Sequence, residues 1–288
     1  MPFDPNAAEL TIGVVGTGSM GRGIMQVSAQ GGMRVIAYDE KPGAAQAAKD
    51  YIAKMLGGMV DKGRLQQAEA TAAVDRIGVA KDLAEVGKAN LIIEAIIERL
   101  DAKQALFARL ETIAGPDTIL ASNTSSLSIT EIGDATLRPD KVVGFHYFYP
   151  ASVMPLIEVI QGDDTSPETL QVATTFAQTI KKQPIGCAEV PGFVVNRILN
   201  AGISEVWRAQ EEQSLSIKAI DEGIGAAKVT PMGPYFLVNL LGLDTVLHVA
   251  EHLHESYGDR FYVPKGMQQL VADGKLGAKT GGDGFYSP

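Results

Sequence analysis

The chain has 288 residues, 45% of them apolar and 20% charged, as in a soluble globular protein with core enough for one large and one smaller domain. Lys and Arg number 25 against 34 Asp and Glu, and the net charge of −9 argues against nucleic acid or an anionic membrane as the main partner, though a local basic pocket stays open. The single cysteine, Cys187, excludes an intrachain disulfide and a cysteine-rich metal site, so a reducing, cytoplasmic setting is expected.

Residues 1–6 show no basic stretch leading into an apolar run, and no apolar stretch of about 18 residues occurs, so neither export nor a membrane span is expected. Residues 10–15 read as a short strand that breaks at Gly16, Gly18 and Gly21. The apolar stretch 24–29 follows, and residues 34–38 read as a second strand ending at Asp39, which completes a βαβ unit.

Gly16-Thr17-Gly18-Ser19-Met20-Gly21 is a G-x-G-x-x-G pattern between predicted strand and helix. The first glycine permits a tight turn, the second lets a pyrophosphate approach the backbone, and the third allows close helix packing. Amides at the helix start, Ser19 and Met20 among them, suit phosphate oxygens. Asp39 can accept hydrogen bonds from both adenosine ribose hydroxyls and would repel a 2′-phosphate, so NAD is expected over NADP. The alternative is a glycine turn used only for packing, with Asp39 facing solvent.

Pro42 suits a helix start, and the Ala-rich residues 44–59 support a long helix, interrupted over 57–67 before another. Residues 74–79, 91–95, 118–121, 142–146 and 156–160 read as further strands, with helices over 100–113 and 169–180. The order implies an α/β domain over 1–188, an open and mostly parallel sheet with helices on both faces. Residues 184–191 read as a break. Beyond it, 193–211, 217–223, 236–257 and 266–273 are helical candidates, giving an all-α domain over 189–288.

His146 closes one apolar strand and Glu158 lies in the next, and each needs a partner inside such a setting. Pairing them satisfies both. It would also fix the imidazole tautomer and leave the second nitrogen for proton transfer, as oxidation of an alcohol requires. On the residues alone a purely structural hydrogen bond stands equally beside this catalytic reading. Ala121-Ser122-Asn123-Thr124-Ser125-Ser126-Leu127 follows a strand at the ligand-bearing edge of the sheet, with a turn or helix cap as the alternative to a binding role. His248, His252 and His254 fall in a helical stretch without a metal-ligand pattern, so no metal is expected.

These motifs, together with Glu94-Ala95-Ile96-Ile97-Glu98, Pro191-Gly192-Phe193-Val194-Val195-Asn196-Arg197, Pro231-Met232-Gly233-Pro234 and Lys279-Thr280-Gly281-Gly282-Asp283-Gly284-Phe285-Tyr286, resemble the 3-hydroxyacyl-CoA dehydrogenase family across nearly the whole chain. The resemblance implies a Rossmann-type domain and a helical domain for substrate binding and dimerisation. It implies NAD-dependent, reversible oxidation of a (3S)-3-hydroxyacyl-CoA, short-chain such as 3-hydroxybutyryl-CoA. His146 is then the base, Glu158 its orienting carboxylate, Ser125 and Asn196 the contacts to the substrate oxygens. Asp39 takes the ribose, Glu98 and Lys103 lie beside the cofactor, and Asn123 lies near the nicotinamide; the alternative for Glu98 and Lys103 is a hydrated cluster at a strand-to-helix junction. Lys54, Lys62 and Arg64 become phosphate contacts for CoA, and a homodimer is implied.

Tyr149 departs from the family's usual His-Phe-Phe-Asn-Pro pattern and leaves the acyl-chain preference open. Oxidation of a 3-hydroxy acid without CoA, as in related sugar-acid dehydrogenases, is the alternative activity. A catalytically quiet NAD-binding protein is the alternative of a different kind.

Overall fold

The computed structural model describes residues 10–286, the side chain of Lys279 excepted, and separates into two compact units between Glu189 and Val190. The expectation for residues 1–6 lies outside the described residues.

Short apolar runs, most of them bounded by Gly, Asp or Asn, give the first unit all of its strands but the last. In chain order it holds β1 (Thr11–Val15), α1 (Ser19–Gln30), β2 (Arg34–Tyr38), α2 (Ala44–Asp61), α3 (Gln67–Asp75), β3 (Ile77–Val79), β4 (Leu91–Glu94) and α4 (Leu100–Ile113). There follow β5 (Ile119–Ser122), α5 (Ile129–Gly133), β6 (Val142–Tyr147), β7 (Leu156–Gln161), α6 (Pro167–Thr179) and β8 (Gln183–Ala188). One sheet contains all eight strands in the order β3-β2-β1-β4-β5-β6-β7-β8. Neighbours are parallel except β6 and β7, which run antiparallel.

The central strands β4, β5 and β6 are buried along their whole length, which is why they read as unbroken apolar runs. Chain progression reverses between β1 and β4, and the crevice at their carboxyl ends is where open α/β sheets bind ligands. The motif turn after β1 and Glu94 at the end of β4 both sit there, since Val15 pairs with Glu94 in register.

Three expectations need correction. Residues 74–79 do not form one strand: Val74 and Asp75 finish α3, and only Ile77–Val79 pair with β2. Residues 184–191 are not simply a break, because their first five belong to β8 at the sheet edge. Pro184 removes a donor there, which an edge strand tolerates, and the half-exposed pattern of β8 gave no apolar run to read. Residues 236–257 are not one helix; Gly242, at φ 100°, ends one helix and starts the next at a bend of 109°.

The second unit therefore holds α7 (Val195–Gln213), α8 (Ile217–Ala226), α9 (Pro234–Leu241), α10 (Leu243–Tyr257) and α11 (Lys265–Ala272). Its own core gathers Trp207, Tyr235, Val238, Leu243, Leu247 and Met267. The carboxylate of Asp221 accepts the backbone N–H groups of Tyr235 and Phe236 at 3.0 and 2.7 Å and the hydroxyl of Tyr286 at 2.8 Å, so one side chain both caps α9 and fastens the C-terminal segment. Among the described residues no single helix is long and apolar enough to cross a membrane.

Candidate active site

The turn between β1 and α1 is shaped by three glycines with three different surroundings. Gly16 has φ 88°, and a Cβ there would lie 2.6 Å from the carbonyl oxygen of Ala95. A Cβ on Gly21 would lie 1.8 Å from the carbonyl oxygen of Gly16, so α1 can approach the turn only with glycine in that place. At Gly18 a Cβ would meet nothing within 4 Å. The protein's own packing therefore accounts for Gly16 and Gly21 but not for Gly18, which leaves clear space beside the backbone. No side chain caps α1, whose first residues are Ser19, Met20 and Gly21.

Asp39, just past β2, is tied to this turn. Its Oδ2 accepts the backbone N–H of Thr17 at 2.7 Å and the Thr17 hydroxyl at 2.9 Å, while Oδ1 accepts the backbone N–H of Lys41 at 3.0 Å. A carboxylate has about four acceptor positions, so capacity remains for a ribose hydroxyl.

Glu94 is the centre of a buried polar cluster that the sequence had shown only as part of a motif. It is fully buried at the end of β4 and accepts Lys103 Nζ at 2.6 Å, the Ile96 backbone N–H at 2.7 Å and the Ser122 hydroxyl at 2.7 Å. Lys103, only 1% exposed, also lies 3.2 Å from Glu98. Glu98 and Lys103 thus do not form a hydrated cluster: the ammonium is enclosed between two carboxylates, and only Glu98 reaches the surface. The signal available in the sequence was a carboxylate ending an apolar run, which requires a hidden partner.

Glu98 in turn organises the loop after β5. Its Oε1 accepts the Thr124 hydroxyl at 2.7 Å, the Ser125 backbone N–H at 2.8 Å and the Ser125 hydroxyl at 3.3 Å. Burial pushes its carboxyl up, but the Lys103 charge and the hydrogen bonds from Thr124 and Ser125 outweigh this and hold it below the usual 4.5. The native carboxylate then binds a proton less readily than the unfolded one. Its contribution to stability is present above pH 4.5 and is lost as pH falls through the lowered native value. Glu98→Gln is expected to lower the urea midpoint at neutral pH and to flatten the acid loss below pH 4.5; curves that stay parallel to wild type would refute this.

Asn123 bridges two strand ends, its backbone N–H donating to Glu94 O at 2.9 Å and its Oδ1 accepting the Tyr147 N–H at 3.0 Å. The Thr124 hydroxyl accepts the N–H groups of Ser126 and Leu127, and Ser128 caps α5. The Asn/Ser segment is therefore a built turn as well as a loop at the ligand-bearing edge.

His146 and Glu158 are direct cross-strand partners in the antiparallel β6–β7 ladder. His146 is 6% exposed and Glu158 is fully buried, and Nδ1 lies 2.8 Å from Glu158 Oε2. A carboxylate only accepts, so Nδ1 carries a proton, and in the neutral ring the lone pair falls on Nε2. The His146 ring also packs on Phe148, with centroids 4.6 Å apart. Tyr149, directly beyond, is 53% exposed.

Asn196 belongs to the helical unit, in the first turn of α7, where its carbonyl accepts the side chain of Asn200 at 2.9 Å. Lys54, Lys62 and Arg64 are exposed on α2 and the turn after it, and Arg22 stacks over the ring of Tyr51, also on α2, at 4.0 Å. In α10, His254 donates from Nδ1 to Phe261 O at 2.8 Å. Among the described residues no group of three or more His, Cys, Asp or Glu is placed to hold a metal ion.

The family model for the 3-hydroxyacyl-CoA dehydrogenase NAD-binding domain matches residues 11–190, and that for the C-terminal domain of the same family matches residues 192–287. The chain belongs to the 3-hydroxyacyl-CoA dehydrogenase family. A probable 3-hydroxybutyryl-CoA dehydrogenase of Deinococcus radiodurans is 40% identical over 96% of this chain and 99% of its own length. Another from Bacillus subtilis is 41% identical over 95% of each. The crystal structure of (S)-3-hydroxybutyryl-CoA dehydrogenase from Ralstonia eutropha superposes with a TM-score of 0.91 at 37% identity, covering 96% of this chain and 98% of that one.

This dehydrogenase is thus an NAD-dependent oxidoreductase with a Rossmann-type sheet domain followed by a helical one. Its residues fit the cofactor on their own terms. The clear space at Gly18, the uncapped start of α1 and the acceptor carboxylate of Asp39 meet what a pyrophosphate and a ribose diol need.

Proposed function

We propose that this dehydrogenase reversibly converts short-chain (3S)-3-hydroxyacyl-CoA, such as the 3-hydroxybutyryl thioester, to 3-oxoacyl-CoA. The observation that carries the reading is the enclosed His146–Glu158 pair at 2.8 Å, an oriented base at the end of a buried strand. NAD, when bound, supplies the hydride acceptor. His146 accepts the substrate hydroxyl proton at Nε2, and Glu158 stabilises the imidazolium that results. Ser125 and Asn196 hold the oxygen at C3, and Asn123 orients the nicotinamide from the strand end it bridges. The turn Gly16, Gly18, Ser19, Met20 and Gly21 holds the pyrophosphate and Asp39 the adenosine ribose, while Glu98 forms the wall beside them and the buried Lys103, out of the cofactor's reach, holds Glu98 in place. Lys54, Lys62 and Arg64 are the cations available to CoA phosphates.

The same reading makes the enzyme a cytoplasmic homodimer joined through its helical unit, with neither nucleic acid nor membrane as partner. Exposed apolar side chains there, Ile198, Val229, Phe236 and Leu240, support the dimer, and the acidic balance supports the exclusions.

Initial rates of NADH oxidation with acetoacetyl-CoA and with free acetoacetate at matched concentration test the substrate class, and repetition with NADPH tests Asp39. Rapid turnover of the thioester alone, with NADH preferred, is expected. Equal turnover of the free acid would replace the CoA reading with that of a hydroxy-acid dehydrogenase, and preference for NADPH would remove the role given to Asp39.

A further inference from the structure

The loop between His146 and Glu158 is held by a lysine for which the reaction has no use. Lys182, 8% exposed, donates from Nζ to the carbonyl oxygens of Ala151 and Met154, both at 2.7 Å, and makes no ion pair among the described residues. The next residue extends the grip, the Gln183 N–H donating to Pro155 O at 2.7 Å. Inside the loop the Pro150 carbonyl accepts the N–H groups of Val153 and Met154, both at 2.9 Å, so residues 150–154 form one closed turn. On its other side this turn lies against α1, the helix that starts at the dinucleotide turn. A Cβ on Gly23 would stand 2.9 Å from Ala151 Cβ and 3.4 Å from Ser152 N.

An ammonium in this place is dehydrated without a countercharge, and burial holds it below the usual lysine range. A neutral apolar side chain would fill the space at lower desolvation cost, but only a multiple donor can fasten two carbonyls at once.

We infer that Lys182 is a positioning residue: it clamps the β6–β7 loop against α1 and so sets the His146–Glu158 pair relative to the dinucleotide turn. The inference rests on His146 acting as the base. Hydride transfer is sensitive to displacements of a fraction of an ångström, whereas binding of NADH at the turn and of CoA at the surface is not.

The test is single-turnover oxidation of enzyme-bound NADH by acetoacetyl-CoA, with KM and the NADH Kd measured alongside. Lys182→Met is expected to lower the rate constant by about 10-fold or more, with KM and Kd within about 2-fold of wild type, and Lys182→Arg to restore most of the rate. A merely structural role would reduce the amplitude of the trace and leave its rate constant unchanged, and that result overturns the inference. Should Lys182→Met not fold, Gly23→Ala decides the matter, because it presses on the same turn from the α1 side with the ammonium intact. A wild-type rate constant in that variant then overturns the inference. His146→Gln serves as control: full turnover there refutes the proposed base, whereas an inactive His146→Gln beside a normal Lys182→Met refutes only the clamp.

Discussion

His146→Gln is expected to bind NADH as wild type does and to lose about 10³-fold in kcat, within the range that a positioned general base contributes. The side chain lies at the end of a buried strand, so glutamine occupies similar volume and the sheet keeps its packing. Lost is the nitrogen that takes up the proton as hydride departs. Glu158→Gln keeps a partner at Nδ1 but removes the charge that stabilises imidazolium, and a smaller loss of about 10²-fold follows. Both variants are checked by kcat for acetoacetyl-CoA reduction together with NADH titration. A kcat for His146→Gln within tenfold of wild type would sink the assignment.

The largest expected effect on stability lies elsewhere. Lys103→Met leaves the fully buried Glu94 without its countercharge and Glu98 without the cation that offsets its burial. Removing one member of a buried pair typically costs about 3–5 kcal/mol, since the surviving charge stays desolvated. Glu94 keeps hydrogen bonds from Ile96 and Ser122, which sets the expectation at the lower end, about 3 kcal/mol. Combining Lys103→Met with Glu94→Gln is expected to recover part of the loss, because the pair then leaves together. Urea unfolding at neutral pH measures both. A single-variant loss under about 1 kcal/mol would place Glu94 in a far more polar setting than its burial indicates.

The strands legible in the sequence were those that bury a run or an alternation of apolar side chains, β2 and β7 among them despite their exposed positions. β1, β4, β5 and β6 are covered on both faces and appear as apolar runs, and the glycine pattern sits where the strand must turn into α1. β8 was not legible, because an edge strand paired on one side can hold Pro184 and alternate half-exposed positions without penalty. The α9–α10 break was hidden for a related reason: a lone glycine is tolerated within a helical pattern, and only the positive φ of Gly242 reveals the bend.

Within the site, the His146–Glu158 contact followed from the need of each group for a partner in an apolar strand. The Glu94–Lys103–Glu98 cluster did not, since its members come together only when β4 and α4 pack. Spacing along the chain says that Lys103 is near a strand end; it does not say that the ammonium is sealed from water.

The antiparallel pairing of β6 with β7 has one more consequence. His146 opposes Glu158, with Ile157 and Val159 on either side of it, and all three side chains of β7 are buried. A one-residue slip in either direction would set an aliphatic side chain opposite the imidazole and drive the carboxylate into the face meant for hydrocarbon. The reacting pair is thereby a checksum on the assembly of the sheet. A wild-type chain that pairs these strands wrongly cannot be well packed, and one that is well packed has the pair in register, so its turnover counts correctly built molecules.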